Sequence, residues 1–119
     1  MIGAGSWGTT VAAIASANTP TTLWSRRAEL ADQINSAHVN PDYLASFTLP
    51  RDLRATAAID EAVGDADVVI MAVPSHGFRA VAVEAAPFLR PWVPIVSLSK
   101  GIEPDTLLRM TEVASEEMP

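Results

Sequence analysis

Near its start the chain reads Gly3-Ala4-Gly5-Ser6-Trp7-Gly8. Three glycines at this spacing constrain the fold more than any other feature. They suit the turn that cradles a dinucleotide pyrophosphate. The first glycine permits the tight turn, the second lets backbone approach the anion, and the third lets helix and strand pack closely. The helix that follows then offers its free N–H groups to the phosphates. Such a turn should follow a β-strand, yet only Met1 and Ile2 precede it. Taken alone, the spacing fits a ligand-free glycine turn about equally well, so the downstream segments must decide.

Those segments alternate. Ser6 to Ala17 is rich in small residues, with Val11 and Ile14 three apart, and predicts a helix packed closely on a sheet. Asn18-Thr19-Pro20 ends it, and Thr21 to Ser25 is β-branched and aromatic, a short strand. Leu30 and Ile34 place a second helix over Ala28 to Ala37. Val39 to Leu53, with Asn40-Pro41 and Leu49-Pro50, reads as a loop. A short strand at Arg54 to Ala57 and a helical turn at Ile59 to Val63 follow. Asp67 to Val73 is a continuous apolar run stopped by Pro74, as expected of a strand buried on both faces. Ser75 is expected to cap a helix over Gly77 to Ala86, and Pro94 to Leu98 to form another buried strand. Pro104 is expected to start a last helix with Leu107, Leu108, Met110 and Val113 on its apolar side. The alternation predicts an α/β fold: a Rossmann-type, doubly wound parallel sheet with helices on both faces and its first strand largely missing.

Composition narrows the function classes. A chain of 119 residues, 49% hydrophobic and 18% charged, is one globular domain's worth. The net charge of −6 argues against a nucleic-acid partner. Without cysteine there is no disulfide frame, thiolate metal site or cysteine nucleophile. No His, Asp or Glu pair has metal-ligand spacing, so no metal site is expected. No apolar stretch approaches the ~20 residues of a membrane span, and no secretory signal pattern is present. Cytoplasm is the default expectation.

Three places carry candidate chemistry. After the second predicted strand, where many NAD-binding folds place an acidic residue for the ribose 2′-hydroxyl, this chain has Ser25-Arg26-Arg27. Arginine there suits a 2′-phosphate, which favours NADPH over NADH. The alternative is a solvated basic pair beside a helix start. Pro74-Ser75-His76-Gly77 follows the carboxyl end of a buried strand, where ligands bind in open α/β sheets. Ser75-His76 lacks an acidic partner and a nucleophile elbow, so a cleft-lining loop and a structural His76 are expected. Lys100, the only lysine, stands past the last strand, placed for an anionic substrate rather than as a P-loop lysine. Trp24 and Trp92 are expected to serve packing, and Trp7 to cover a cofactor.

Gly3-Ala4-Gly5-Ser6-Trp7-Gly8-Thr9, Leu23-Trp24-Ser25-Arg26, Asn40 with Tyr43-Leu44 and Leu49-Pro50, Ala72-Val73-Pro74-Ser75-His76, and Ser99-Lys100-Gly101-Ile102-Glu103 occur in this order over essentially the whole chain. Together they resemble the bacterial NAD(P)-dependent glycerol-3-phosphate dehydrogenases. The resemblance implies hydride transfer between NAD(P)H and dihydroxyacetone phosphate, giving sn-glycerol 3-phosphate for phospholipid synthesis. It implies cofactor contacts at Gly3, Gly5, Ser6, Trp7, Gly8, Arg26, Arg27, Pro74 and Lys100, with Lys100 also touching substrate. NADP(H) is the preferred cofactor and NAD(H) remains open. The family's proton-transfer lysine belongs to a second, helical domain absent here, so no catalytic residue is expected among these 119. A full-length member is expected to be a homodimer.

Thr19-Pro20 in place of a glycine turn and Ala45-Ser46 in place of a Pro-Gly pair depart from the family pattern, both in loops. The expectation is a Rossmann domain over residues 1–119, cut at both ends, marginally stable and inactive alone. Loss of the central first strand should leave its neighbours without a pairing partner. A non-catalytic dinucleotide-binding module, or an inert fragment, is the alternative from another class. A 6-phosphogluconate or ketopantoate reductase relative is disfavoured by the Val-Pro-Ser-His and Ser-Lys-Gly-Ile-Glu segments.

Overall fold

Strand and helix alternate as the apolar pattern dictates. The computed structural model describes residues 1–119. Helix α1 spans Ser6–Ser16, strand β1 Thr22–Trp24, α2 Ala28–Ala37, β2 Arg54–Thr56 and α3 Ile59–Val63. Strand β3 spans Val69–Met71, α4 Ser75–Ala85, β4 Ile95–Ser97 and α5 Met110–Glu117, with a 3-10 turn at Ala86–Phe88. No helix is long and apolar enough to cross a membrane.

Strand β1 runs parallel to β2 with Leu23 opposite Ala55, and β3 runs parallel to β4 with Ile70 opposite Val96. The N-terminal segment joins the two pairs. Ile2 bridges in parallel to both Trp24 and Met71. The Trp24 amide donates to the Met1 carbonyl at 2.8 Å, and the Gly3 amide to the Trp24 carbonyl at 3.1 Å. On the other side the Ile2 amide donates to Ile70 at 2.8 Å, and the Ala72 amide to Ile2 at 2.7 Å. The order across the sheet is therefore β2, β1, the N-terminal segment, β3, β4. This corrects the expectation that the flanking strands lack a partner: Met1 to Gly3 suffice at the end of the sheet that carries the glycine turn.

Side chains alternate across a strand, and two cores result. Met1, Leu23 and Ala55 meet Leu30 and Ile34 of α2 and Ala12 of α1. Ile2, Trp24, Val69 and Met71 face the opposite way, onto α3, α4 and α5, where Phe78, Val81 and Val113 are fully buried. Helices thus cover both faces. Burial of a side chain such as Phe78 contributes about 1.5–3 kcal/mol.

Four expectations need correction. Strand β4 is not buried: Val96 is 42% exposed, because β4 is the edge strand. In the Asp67–Val73 run, Val69, Met71 and Val73 are buried, but Ile70 is half-buried and Val68 exposed, so only one face is fully covered. Ser75 does not cap α4. Pro74, at φ −56° and ψ 146°, takes the cap position with no side-chain bond, and Ser75 becomes the first helical residue. Finally, α5 begins at Met110 and not at Pro104. The Leu107 amide donates to the Glu103 carbonyl and the Glu103 amide to Leu108, closing a turn with Leu107 at φ 59°. Leu107 is exposed, while Met110 and Val113 are buried as expected. Glu112 accepts from the Arg109 backbone amide at 2.8 Å, which fixes where α5 starts.

Candidate functional site

The sheet order reverses on either side of the N-terminal segment, and ligands bind outside the carboxyl ends of strands at such a point. A cleft of about 900 Å³ lies there, walled by the glycine turn, the end of β1, the Pro74 loop and the Lys100 loop.

Sterics fix the glycine turn. Gly3 adopts φ +110°, and a Cβ on it would stand 2.6 Å from the Ala72 carbonyl oxygen. A Cβ on Gly8 would overlap the Gly3 carbonyl oxygen. These two glycines are required by the protein's own backbone. Gly5 differs: a Cβ there would meet nothing within 4 Å and would project toward open cleft. The first helical bond of α1 runs from the Thr9 amide to the Gly5 carbonyl at 2.9 Å. The amides of Ser6, Trp7 and Gly8 therefore have no partner within the helix. No side chain caps them and no acidic residue sits in the first turn. Free amides at a helix N-terminus are the kind of group that suits an anion.

A buried asparagine holds the turn from behind. Asn40, fully buried, donates from Nδ2 to the Ala4 carbonyl at 2.9 Å and to Thr9 Oγ1 at 2.8 Å. Its Oδ1 accepts from the Tyr43 amide at 3.2 Å. Asn40 thus ties the 39–53 loop to the glycine turn and brings Tyr43 to the cleft wall. In the sequence, Asn40-Pro41 signals only a loop, and nothing local tells that its side chain reaches back to Ala4.

At the end of β1, Ser25 is buried and its hydroxyl accepts from the Arg27 amide at 3.2 Å, turning the chain so that Arg26 and Arg27 line the cleft. Arg27 is ion-paired to Asp42, whereas Arg26 makes no hydrogen bond or ion pair. Its Nη2 lies 3.9 Å from the Cβ position of Gly77, at the start of α4, so the free guanidinium crosses the cleft. On the opposite rim Ser99 Oγ donates to the Val73 carbonyl at 2.5 Å and joins the Lys100 loop to the Pro74 loop. Lys100 is exposed and unpaired at the cleft edge.

The Lys100 loop has its own anchor on α4. Arg79 donates to both Glu103 carboxylate oxygens at 2.8 Å, and also pairs with Glu116 and Glu117 on α5. Hydrogen bonds from Arg79, and a further one from Thr106, hold the Glu103 carboxyl down at about 2. The same cluster pushes the Arg79 guanidinium upward, chiefly through Glu103.

All nine residues expected at the cofactor site, Gly3, Gly5, Ser6, Trp7, Gly8, Arg26, Arg27, Pro74 and Lys100, line this one cleft. Trp7 is 60% exposed on its wall. Trp24 is buried, with Nε1 donating to the Ala57 carbonyl at 3.1 Å. Trp92 is a correction: it is 73% exposed, beside the Arg90 guanidinium, and packs into no core. His76 is corrected too, being exposed on the cleft wall with no hydrogen-bond partner rather than structural.

The family model described as NAD-dependent glycerol-3-phosphate dehydrogenase N-terminus matches residues 1–119. The chain belongs to this family. It is 51% identical over its whole length to glycerol-3-phosphate dehydrogenase (NAD(P)+) 2 of Sphingopyxis alaskensis, covering 36% of that protein. It is 52% identical to glycerol-3-phosphate dehydrogenase (NAD(P)+) of Mycobacterium avium, again over all of this chain and 35% of that protein. The crystal structure of glycerol-3-phosphate dehydrogenase from Coxiella burnetii superposes with a TM-score of 0.89 at 27% identity, over 98% of this chain and 36% of that one. The chain thus spans about a third of the length of these relatives, and its fold is that of their N-terminal, Rossmann-type region.

Proposed function

We propose that the cleft binds NADP(H) in preference to NAD(H), as the cofactor part of an enzyme that reduces dihydroxyacetone phosphate to sn-glycerol 3-phosphate for phospholipid synthesis. One observation carries this reading. The chain has a net charge of −6, yet the charged side chains lining the cleft are Arg26, Arg27 and Lys100, with no carboxylate among them. Such a site is complementary to phosphates at several points. The unpaired amides of Ser6, Trp7 and Gly8 would hold the pyrophosphate, and Gly5 leaves the backbone open to it. Arg26, free at the end of β1, would meet the adenosine 2′-phosphate, and Arg27 stands beside it. Trp7 and Pro74, also on the cleft wall, would flank the cofactor between its phosphates and the Lys100 rim. When bound, the nicotinamide supplies the hydride. Lys100 would face both it and the substrate phosphate, and proton transfer would fall to a lysine outside these residues. The names of the relatives, which carry NAD(P)+, support the cofactor class.

Replacing Arg26 with Asp tests the assignment. In calorimetric titrations NADPH binding should weaken at least tenfold more than NADH binding, because a charge-assisted hydrogen bond contributes about 1.5–3 kcal/mol. Equal losses for the two cofactors would remove the 2′-phosphate role of Arg26.

A further inference from the structure

Two adjacent arginines stand at the same end of the cleft, but only one is free. Arg27 is committed to Asp42, which the 39–53 loop carries next to Asn40 and Tyr43. Asn40 is fully buried and hydrogen-bonded to the glycine turn, so the position of Asp42 is set by the cofactor cradle and not by a loose loop. The pair itself lies in solvent, with side chains 58% and 40% exposed. Exposed ion pairs contribute little to stability and can open. Asp42 does not line the cleft. Its consequence is electrostatic: of the two positive charges at this end, one is neutralised by a carboxylate that the fold holds in place.

We infer that Asp42 is a specificity-determining residue, which restrains the 2′-phosphate preference by keeping Arg27 engaged. This rests on the reading that Arg26 meets a 2′-phosphate. A 2′-phosphate carries about −1.5 to −2 charges at neutral pH, a 2′-hydroxyl none. Releasing Arg27 therefore strengthens binding of the phosphorylated cofactor and leaves the other nearly unchanged. The unpaired Arg26 favours NADPH, and the paired Arg27 limits how far, so that both cofactors remain usable. Asp42 acts here through Arg27 and is a positioning residue.

The decisive measurement is the ratio of NADPH to NADH dissociation constants in the intact protein, by fluorescence titration at low and high salt. Asp42→Asn removes the charge with little change of shape. It should tighten NADPH about fivefold and leave NADH within about twofold, the gain shrinking as salt rises. Combined with Arg27→Ala, Asp42→Asn should give no further gain. An unchanged ratio for Asp42→Asn, or the same gain when Arg27 is absent, overturns the inference. Arg26→Ala in the same titrations keeps the two readings apart. Equal losses of both cofactors in Arg26→Ala defeat the 2′-phosphate reading and this inference with it. A selective NADPH loss there, with a flat Asp42→Asn response, defeats the inference alone.

Discussion

The two rims of the cleft are held by different physics. On one rim, Gly3 and Gly8 are locked by direct backbone contact, and Asn40 fills the space behind them with three hydrogen bonds and no exposure. On the other, the Lys100 loop leans on one hydroxyl bond from Ser99 and on the Arg79–Glu103 pair, all at the partly exposed edge near β4. The first rim has no slack, because steric overlap rises steeply and buried polar groups are expensive to leave unpaired. The second is fastened by charges that solvent and pH can loosen. A sterically fixed glycine turn therefore faces a loop fastened by side-chain bonds, and Lys100 sits on that second side.

The sharpest way to break this contrast is within the glycine turn itself. Gly8→Ala drives a methyl group into the Gly3 carbonyl and should cost roughly 3–4 kcal/mol, or prevent folding. Gly5→Ala adds the same methyl group where nothing stands within 4 Å. Its stability should stay within about 1 kcal/mol of the parent, while NADPH affinity falls at least tenfold. Urea unfolding and cofactor titration on both variants check this. If Gly5→Ala bound cofactor normally, the backbone there would not be the surface the pyrophosphate approaches.

Asn40→Ala comes next. It orphans the Ala4 carbonyl and the Thr9 hydroxyl in a site closed to water, and should cost about 2–3 kcal/mol in the same unfolding measurement. A loss below about 0.5 kcal/mol would show that the first rim is not held from behind.

The smallest effect is expected on the second rim, in acid. Hydrogen bonds from Arg79 depress the Glu103 carboxyl to about 2 in the folded chain, from an ordinary value near 4.5. A depressed carboxyl contributes stability that is fully present above the ordinary value and is lost as pH falls toward about 2. The melting temperature of the parent should therefore exceed that of Glu103→Gln at neutral pH. The gap should begin to close below about pH 4.5 and vanish near pH 2. A gap independent of pH would mean that Glu103 acts by shape rather than charge.

Much of the fold was legible because its signals are local. Asn18-Thr19-Pro20 marked the end of α1, and α2 runs from Ala28 to Ala37 as the Leu30–Ile34 spacing predicts. The apolar Asp67–Val73 run marked β3, and the glycine spacing with Arg26, Arg27, Pro74 and Lys100 marked the residues that line the cleft. Two of the misreadings concern what packs against a segment rather than the segment itself. An apolar run shows that a strand forms but not how many neighbours cover it, so Pro94 to Leu98 predicts a buried strand where β4 is an edge. Pro104 and Leu107 carried a helix-start pattern, but Glu103 is drawn to Arg79, twenty-four residues earlier, and the chain turns before it can coil.

By itself the sequence determined the alternation of strands and helices, the glycine turn and the positive charge at its ligand end. These depend on periodicity, backbone freedom and residue type, all read within a few positions. The tertiary structure alone decided that Met1 to Gly3 join the two strand pairs. It alone set Asn40 behind the glycine turn and split the arginine pair into one free and one engaged by Asp42. Those outcomes rest on contacts between residues fifteen or more positions apart, and no local pattern encodes which distant groups the packed chain brings within hydrogen-bonding reach.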